Sequence, residues 1–349
     1  MQRLQEMLEE GRSQGLYPGA SFRVFRADGE ILGEGVTGLA DPEAQAAVTP
    51  GTIWDLASLT KPVATATSVL ILAQEGRLHL NEEVARYLPA DLPPVPGITL
   101  RHCLTHTSGL KPWEQYHSQA LSPDEILRRI AASGRQAEPG EAYAYSDLGY
   151  ILLGEVVRTL AGYSVAQLAR ERIFAPLEMT DTAFTPPAEW RPRLAATRCA
   201  DRGWSLVGEV HDGNCDALGG VAGHAGLFGT LDDLQRYSEM LLNEGAAGAT
   251  RVLAPLAARE MARNQNPPGL NGHTLGWFTR PNGFLPAGDF LPPDTFGHTG
   301  FTGTSLLLSP SLRLGILLLT NRVYQDRDAA DFLRFRRRFH NAAAGLLGL

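Results

Sequence analysis

Serine followed three places later by lysine occurs twice, as Ser58 and Lys61 in "ASLTKP" and as Ser108 and Lys111 in "TSGLKP". These are the only two lysines in 349 residues, against 29 arginines, and proline follows each. A serine and a lysine one helical turn apart share a face, so the hydroxyl can be a nucleophile and the amine its proton partner. The punctuation around the two copies differs. At Lys61 the pattern predicts a helix start, with Ser58 at the N-cap or first turn and Pro62 where a missing N–H costs least. A helix N-terminus also favours an alkoxide and a developing oxyanion. At Lys111, Gly109 follows the last turn of "RHCLTHTSGL", so the chain turns between serine and lysine. Ser108 therefore reads as a helix-end residue and Lys111 as surface. A further serine, Ser13 in "GRSQG", fits G-x-S-x-G, but that elbow needs a strand before and a helix after, and here the order is reversed.

The elements that must position such a pair follow from periodicity. Leu4, Met7 and Leu8 predict a helix ending at Gly11. Ala20, Phe22 and Val24 alternate, turn at Asp28-Gly29 and return through Ile31, a β-hairpin. The middle is helical: "LTKPVATATSVLILAQE", "TLRHCLTHTSG", "SPDEILRRIAASG", "YSDLGYILLGEVVRTLAG", "SVAQLARERIFAPL" and "TLDDLQRYSEMLLNEG". Several open on Ser or Thr with acids and close at Gly, the polarity of capping, with Thr230 expected to cap the last. Near the C-terminus "GTSLLLSPSLRLGILLLTN" reads as two buried strands about Ser309-Pro310, followed by an amphipathic helix from about Asp326. Strands at both ends with helices between predict an α+β fold, an α/β sandwich: a mainly antiparallel sheet built from both termini, flanked by helices, with an inserted helical domain. Residues 1–75 plus 215–349 are expected to form the sheet domain and 76–214 the insertion.

Composition narrows the function classes. The charge of −7 disfavours a polyanionic partner, so nucleic acid is not expected. The one basic run, "RFRRRFH" from Arg334 to His340, reads as the wet face of the C-terminal helix. Cys103, Cys199 and Cys215 lack framework spacing and predict no disulfide scaffold. The N-terminal stretch has no apolar h-region, and no apolar run approaches the ~20 residues needed to span a bilayer. A cytoplasmic protein without membrane contact is the expectation. His102 and His106, and the looser group His211, Asp212, Cys215 and His224, lack metal-ligand spacing, so hydrogen-bonding roles and no metal or cofactor are expected. "GGVAGHAG" is not a phosphate loop; its glycines let backbone pass close to its neighbours. Trp277 suits the core or a cleft wall.

Two further segments raise the Ser58 pair above the rest. "AYSDLGY" sets Tyr145 and Asp147 two apart at a helix start, and "FGHTGFTGTS" sets His298-Thr299-Gly300 before a strand. S-x-x-K, an S-D-N-like element and K-T-G together are a serine β-lactamase and penicillin-binding signature. The sequence resembles the β-lactamase-related serine hydrolases, the group around class C β-lactamases, D-alanyl-D-alanine carboxypeptidases and carboxylesterases of that fold. "SLTK", "GRLHLNEEVARYLP", "ITLRHCLTHTSGL", "YSDLGYILLGEVV", "GGVAGHAGLFGTLDDLQRY", "LGW" and "GHTGFTGTS" resemble the family's stretches in its order, from about Ile53 to Asn321.

The resemblance implies Ser58 as acylated nucleophile, Lys61 as its partner and Tyr145 as proton shuttle. It implies an oxyanion hole from the backbone N–H groups of Ser58 and Phe301, and substrate contacts from Asp147, His298, Thr299 and Gly300, the glycine keeping a side chain off the acyl group. Two departures stand out: Asp147 where the family usually has Asn, and His298 where it usually has Lys. A carboxylate only accepts hydrogen bonds, and beside Lys61 it favours the ammonium. The expectation is weak recognition of acylamino groups, Lys61 kept charged as an electrostatic aid, and more of the base role on Tyr145. A histidine of ordinary pKa ~6.5 at position 298 predicts that KM for carboxylate-bearing substrates falls from pH 8 to 6. The expected activity is hydrolysis of small ester, amide or peptide substrates through an acyl-enzyme, with weak or no β-lactamase activity. The alternatives are a true β-lactamase or D-alanyl-D-alanine carboxypeptidase, and a non-catalytic binding or sensor module.

Overall fold

The structure, a computed structural model, describes residues 2–93, 95–199, 204–325 and 327–346. Its spine is a seven-stranded antiparallel sheet in the order Phe278–Thr279, Phe296–Thr299, Ser305–Ser309, Leu314–Thr320, Gly19–Arg26, Ile31–Asp41, Ala46–Ala47. The N-terminal and C-terminal segments meet at its centre, Ala20 opposite Thr320 and Arg26 opposite Leu314. The expected sheet built from both termini is therefore present, and Gly29 at φ +94° makes the predicted hairpin turn.

Alternation along the strands sorts the core into two layers. Phe22, Val24, Ile316 and Leu318 face the helices Gln2–Ser13 and Ala329–Gly345, packing on Leu4, Leu8, Phe332 and Phe339. Phe25, Leu317 and Leu319 face the opposite way, with Val63, Leu234 and Tyr237 from the segment after Ser58 and the helix Leu231–Leu242. That second layer continues into the helices Leu100–Leu104, Pro123–Ala131, Asp147–Ala161 and Val165–Ala169. Thr230, Ser122 and Ser146 accept N–H bonds as N-caps, and Gly162 closes the Asp147–Ala161 helix at φ +84°. Each such cap contributes about 1 kcal/mol. A smaller sheet joins Trp54–Asp55 and Ala183–Phe184 to either side of Leu227–Gly229, which ties the segment before Ser58 to the loop after "GGVAGHAG".

Several local expectations need correction. The C-terminal helix begins at Ala329 with Asp328 as N-cap, and Asp326 lies outside the described residues. Its basic run is not a uniformly wet face: Arg334, Arg337 and Arg338 are exposed, but Arg336 and His340 are buried with Phe335 and Phe339. The apolar spacing rotates every third or fourth residue inward whatever its type, and Arg336 donates to Thr304 O at 3.3 Å over the Phe332 ring. The helix around Cys103 ends at Leu104, four residues before Ser108, because His106 turns to φ +58°. Trp277 is core, fully buried. The three cysteines are unpaired. Among the described residues, no helix is long and apolar enough to cross a membrane.

Candidate active site

Ser58 does not cap a helix. The chain makes a tight 3-10 turn over Ala57–Leu59 and then a wide π turn over Lys61–Ala66 before settling into the α-helix Thr67–Gln74. The cause is Ala57, a non-glycine residue held at φ +48°, a conformation that costs of order 1–3 kcal/mol. Its surroundings hold it there: the Asp55 carboxylate accepts from Ala57 N at 2.8 Å, and Thr60 Oγ1 donates to Ala57 O at 2.6 Å. The turn still brings the pair together, with Lys61 Nζ 2.9 Å from Ser58 Oγ.

Lys61 is fully buried, with three oxygen atoms within 3.0 Å of its ammonium. They are Ser58 Oγ, the His224 carbonyl at 3.0 Å, and Asp147 Oδ1 at 2.7 Å, the last a close ion pair without hydrogen-bond alignment. The ammonium also lies 4.9 Å from the Tyr145 ring centre and 5.8 Å from that of Tyr150. Thus Ser58, Lys61, Tyr145 and Asp147, distant in sequence, are brought together. Tyr145 is held protonated: burial pushes its phenol well above the ordinary tyrosine range, and the Asp147 carboxylate pushes the same way. A hydrogen bond with Ser58 only partly offsets this, so the resting site holds a phenol, against the expectation of Tyr145 as the resting base.

The second S-x-x-K word turns out to be the mount for Tyr145 and Asp147. His106 Nδ1 accepts from Ser146 N at 2.9 Å, Lys111 O accepts from Ser146 Oγ at 2.7 Å, and Pro112 O accepts from Asp147 N at 2.8 Å. Ser108 and Lys111 do part, as expected: Gly109 sits at φ +73° and Lys111 pairs with Glu114 at 2.9 Å. Ser108, however, is buried in the loop and not at a helix end. Ser13 ends the first helix with its hydroxyl on Glu10 O, away from the site.

The strand carrying His298 and Thr299 closes the other side. Thr302 Oγ1 donates to Asp55 O at 2.7 Å and Thr304 Oγ1 to Leu56 O at 3.1 Å, which clips Phe301 beside Ser58. Gly300 is required by that clip: a Cβ there would lie 2.5 Å from Leu56 O. The closest approach of all to that Cβ position is the Thr304 hydroxyl. His298 is fully buried, stacked on Phe278 at 4.2 Å, with Nδ1 2.8 Å from Thr299 O. A carbonyl only accepts, so Nδ1 carries the proton and Nε2 a lone pair that has no protein partner. Burial, with Lys61 nearby, holds the imidazole well below its ordinary range. The expected titration between pH 8 and 6 is therefore corrected: His298 stays neutral there, and no cation stands where the family usually has Lys.

His273, together with residues expected to have only hydrogen-bonding roles, completes the surroundings. His106 and His273, both buried, lie edge to face at 4.7 Å, and burial pushes His273 down to about 3. Asp212 and His224, seen in sequence only as a loose group, pair at 2.9 Å. Among the described residues no set of three or more His, Cys, Asp or Glu side chains is arranged to hold a metal ion. Trp113, Phe284 and Phe301 leave large aromatic surfaces exposed, on loops next to Asp147, Tyr145 and Ser58 respectively.

Known proteins carry the same frame. The Beta-lactamase family model matches residues 4–339. A "Putative D-alanyl-D-alanine carboxypeptidase" of Escherichia coli (strain K12) is 30% identical over 305 residues, covering 78% of this chain and 70% of that protein. Solved structures with a similar fold include "EstCE1, a hydrolase with promiscuous acyltransferase activity" (TM-score 0.76, 23% identity, 99% of this chain and 98% of that one). Another is a "Novel Penicillin-Binding Protein (PBP) Homolog from Caulobacter crescentus" (TM-score 0.77, 21% identity, 98% and 96%). With a family match across nearly the whole chain, laid over a buried lysine bonded to a serine hydroxyl, the protein belongs to the β-lactamase family and is a serine hydrolase of the β-lactamase-related type.

Proposed function

We propose that the protein hydrolyses esters or small amides and peptides through a covalent acyl-enzyme on Ser58, with weak or no β-lactamase activity. The observation that carries the reading is the Lys61 contact with Ser58 Oγ at 2.9 Å, backed by the Asp147 carboxylate at 2.7 Å. As Ser58 Oγ attacks the acyl carbon, its proton passes to Lys61 while Lys61 gives one to Asp147 Oδ1. The carbonyl electrons move to an oxyanion held by the Ser58 and Phe301 N–H groups. Tyr145, a neutral phenol beside the lysine, then protonates the leaving group and is reprotonated from the Lys61–Asp147 pair. Water repeats the sequence to release the acid.

Two features favour esters over β-lactams. Asp147 offers no N–H to an acylamino carbonyl, and His298 is neutral, so neither holds the groups that a β-lactam presents. The exposed Trp113, Phe284 and Phe301 suit an apolar acyl or leaving group. The similarity to a putative D-alanyl-D-alanine carboxypeptidase supports a peptidase as the second reading. A panel of p-nitrophenyl esters, a chromogenic cephalosporin and D-alanyl peptides separates them. The proposal expects the esters to lead in kcat/KM; a lead for the cephalosporin or the peptides overturns the ester reading.

A further inference from the structure

The paired Asp212 and His224 side chains do no chemistry in the mechanism above, yet they stand directly behind Lys61. One of the two oxygens that accept a hydrogen bond from its ammonium is the backbone carbonyl of His224, at 3.0 Å. The preceding carbonyl, Gly223 O, accepts from Thr65 Oγ1 at 2.7 Å on the same π turn as Lys61. Gly223 itself admits no side chain, because a Cβ would run into Tyr150 O. What sets the angle of this loop is the His224 ring, buried, with Nε2 2.9 Å from Asp212 Oδ1. The same oxygen caps the short helix Gly213–Ala217 by accepting from Cys215 N at 2.8 Å, and Cys215 Sγ returns to Ala225 O at 3.2 Å. Burial alone would raise the Asp212 carboxyl, but His224 outweighs it and Lys61 adds to the effect, so Asp212 stays ionised.

We infer that Asp212 and His224 are positioning residues for Lys61: the pair fixes the carbonyl that orients the ammonium. This rests on the reading of Ser58 as nucleophile. The charged and titratable groups facing Lys61 are then Asp147 and Asp212, with Tyr145, Tyr150, His106, His273 and His298 around them. Burial holds His106, His273 and His298 neutral, and the His224 ring lies directly against the Asp212 carboxylate at 2.9 Å.

The test uses Asp212→Asn, which keeps an oxygen for Cys215 N and the His224 ring but removes the charge, and His224→Gln, which changes the anchor. Ester turnover is measured per site labelled by a fluorophosphonate, so that any unfolded fraction does not count. The expected result is a fall in kcat of about 10²-fold for His224→Gln with KM within about twofold, as for a displaced catalytic group. For Asp212→Asn, which keeps the oxygen that meets Cys215 N and the His224 ring, the fall in kcat is smaller than for His224→Gln, again with KM within about twofold. Lowered thermal stability with kcat per labelled site unchanged in both variants overturns the inference and leaves a structural pair. Labelling that persists in Ser58→Ala overturns the underlying reading instead, so the two failures are distinguishable.

Discussion

Lowering the pH from 7 to 5 should destabilise this protein, and buried histidines set the size of the effect. His273 and His340 are fully buried, and desolvation pushes each down to about 3, against ~6.5 in an unfolded chain. A group whose folded pKa is depressed contributes stability above its unfolded pKa and loses it as pH falls towards the folded value. Between pH 7 and 5 the unfolded chain takes up protons that the folded one refuses. Linkage gives a loss of about 2 kcal/mol for each histidine. Asp233 works the other way: burial raises it to about 6, so it gains a proton in the folded state and returns about 1 kcal/mol. The three groups together lose about 2–3 kcal/mol, and His106 and His298, shifted in the same direction as His273, add to that. Against a total of roughly 5–15 kcal/mol this is a large share. Urea unfolding at the two pH values should show it, and His340→Gln should shrink the difference by about 2 kcal/mol because one titrating group is gone. A stability that is flat or rises on going to pH 5, or a difference untouched by His340→Gln, would refute the reasoning.

Other expectations concern the site. Tyr145→Phe keeps the ring over Lys61 but loses the proton donor, so hydrolysis of alkyl esters should fall by roughly 10²–10⁴-fold and that of p-nitrophenyl esters, with their better leaving group, by less. Asp147→Asn removes the proton acceptor and adds an amide donor; stopped-flow and steady-state rates should show ester acylation slowed and the ratio of acylamino β-lactam to ester turnover raised, and an unchanged ratio counts against the assigned role. Gly300→Ala drives a methyl into Leu56 O, and calorimetry should register a loss of about 1–3 kcal/mol. KM for a carboxylate-bearing ester should stay flat from pH 8 to 6, because His298 does not titrate there.

Much of this frame was legible in residue types and spacing. Period-2 alternation in Ala20, Phe22 and Val24, and the continuous apolar runs of two buried strands in 305–320, reported a sheet built from the two ends, and caps such as Ser122, Ser146 and Thr230 marked helix starts. Glycine placement separated the two S-x-x-K words, because Gly109 at φ +73° breaks the second. What stayed hidden depends on groups far apart in the chain. The π turn at Lys61 follows from Ala57 held in the left-handed region by Asp55 and Thr60, and nothing in the composition of "DLASLTKP" signals that. The burial of His298 comes from Phe278, some 20 positions earlier, and without it the residue reads as an ordinary titrating imidazole. The His224–Asp212 contact needs the loop between them to fold back, so two residues twelve apart looked like a loose group. Arg336 turned inward because helical phase outranked its charge, compensated by the Thr304 carbonyl and the Phe332 face.

The central claim is that Ser58 carries the acyl group, and intact-protein mass spectrometry with peptide mapping after quenching a slow p-nitrophenyl ester tests it directly. The account predicts one acyl adduct per chain on the peptide containing Ser58, absent together with turnover in Ser58→Ala. An adduct on another residue, or ester turnover that survives Ser58→Ala, would contradict it.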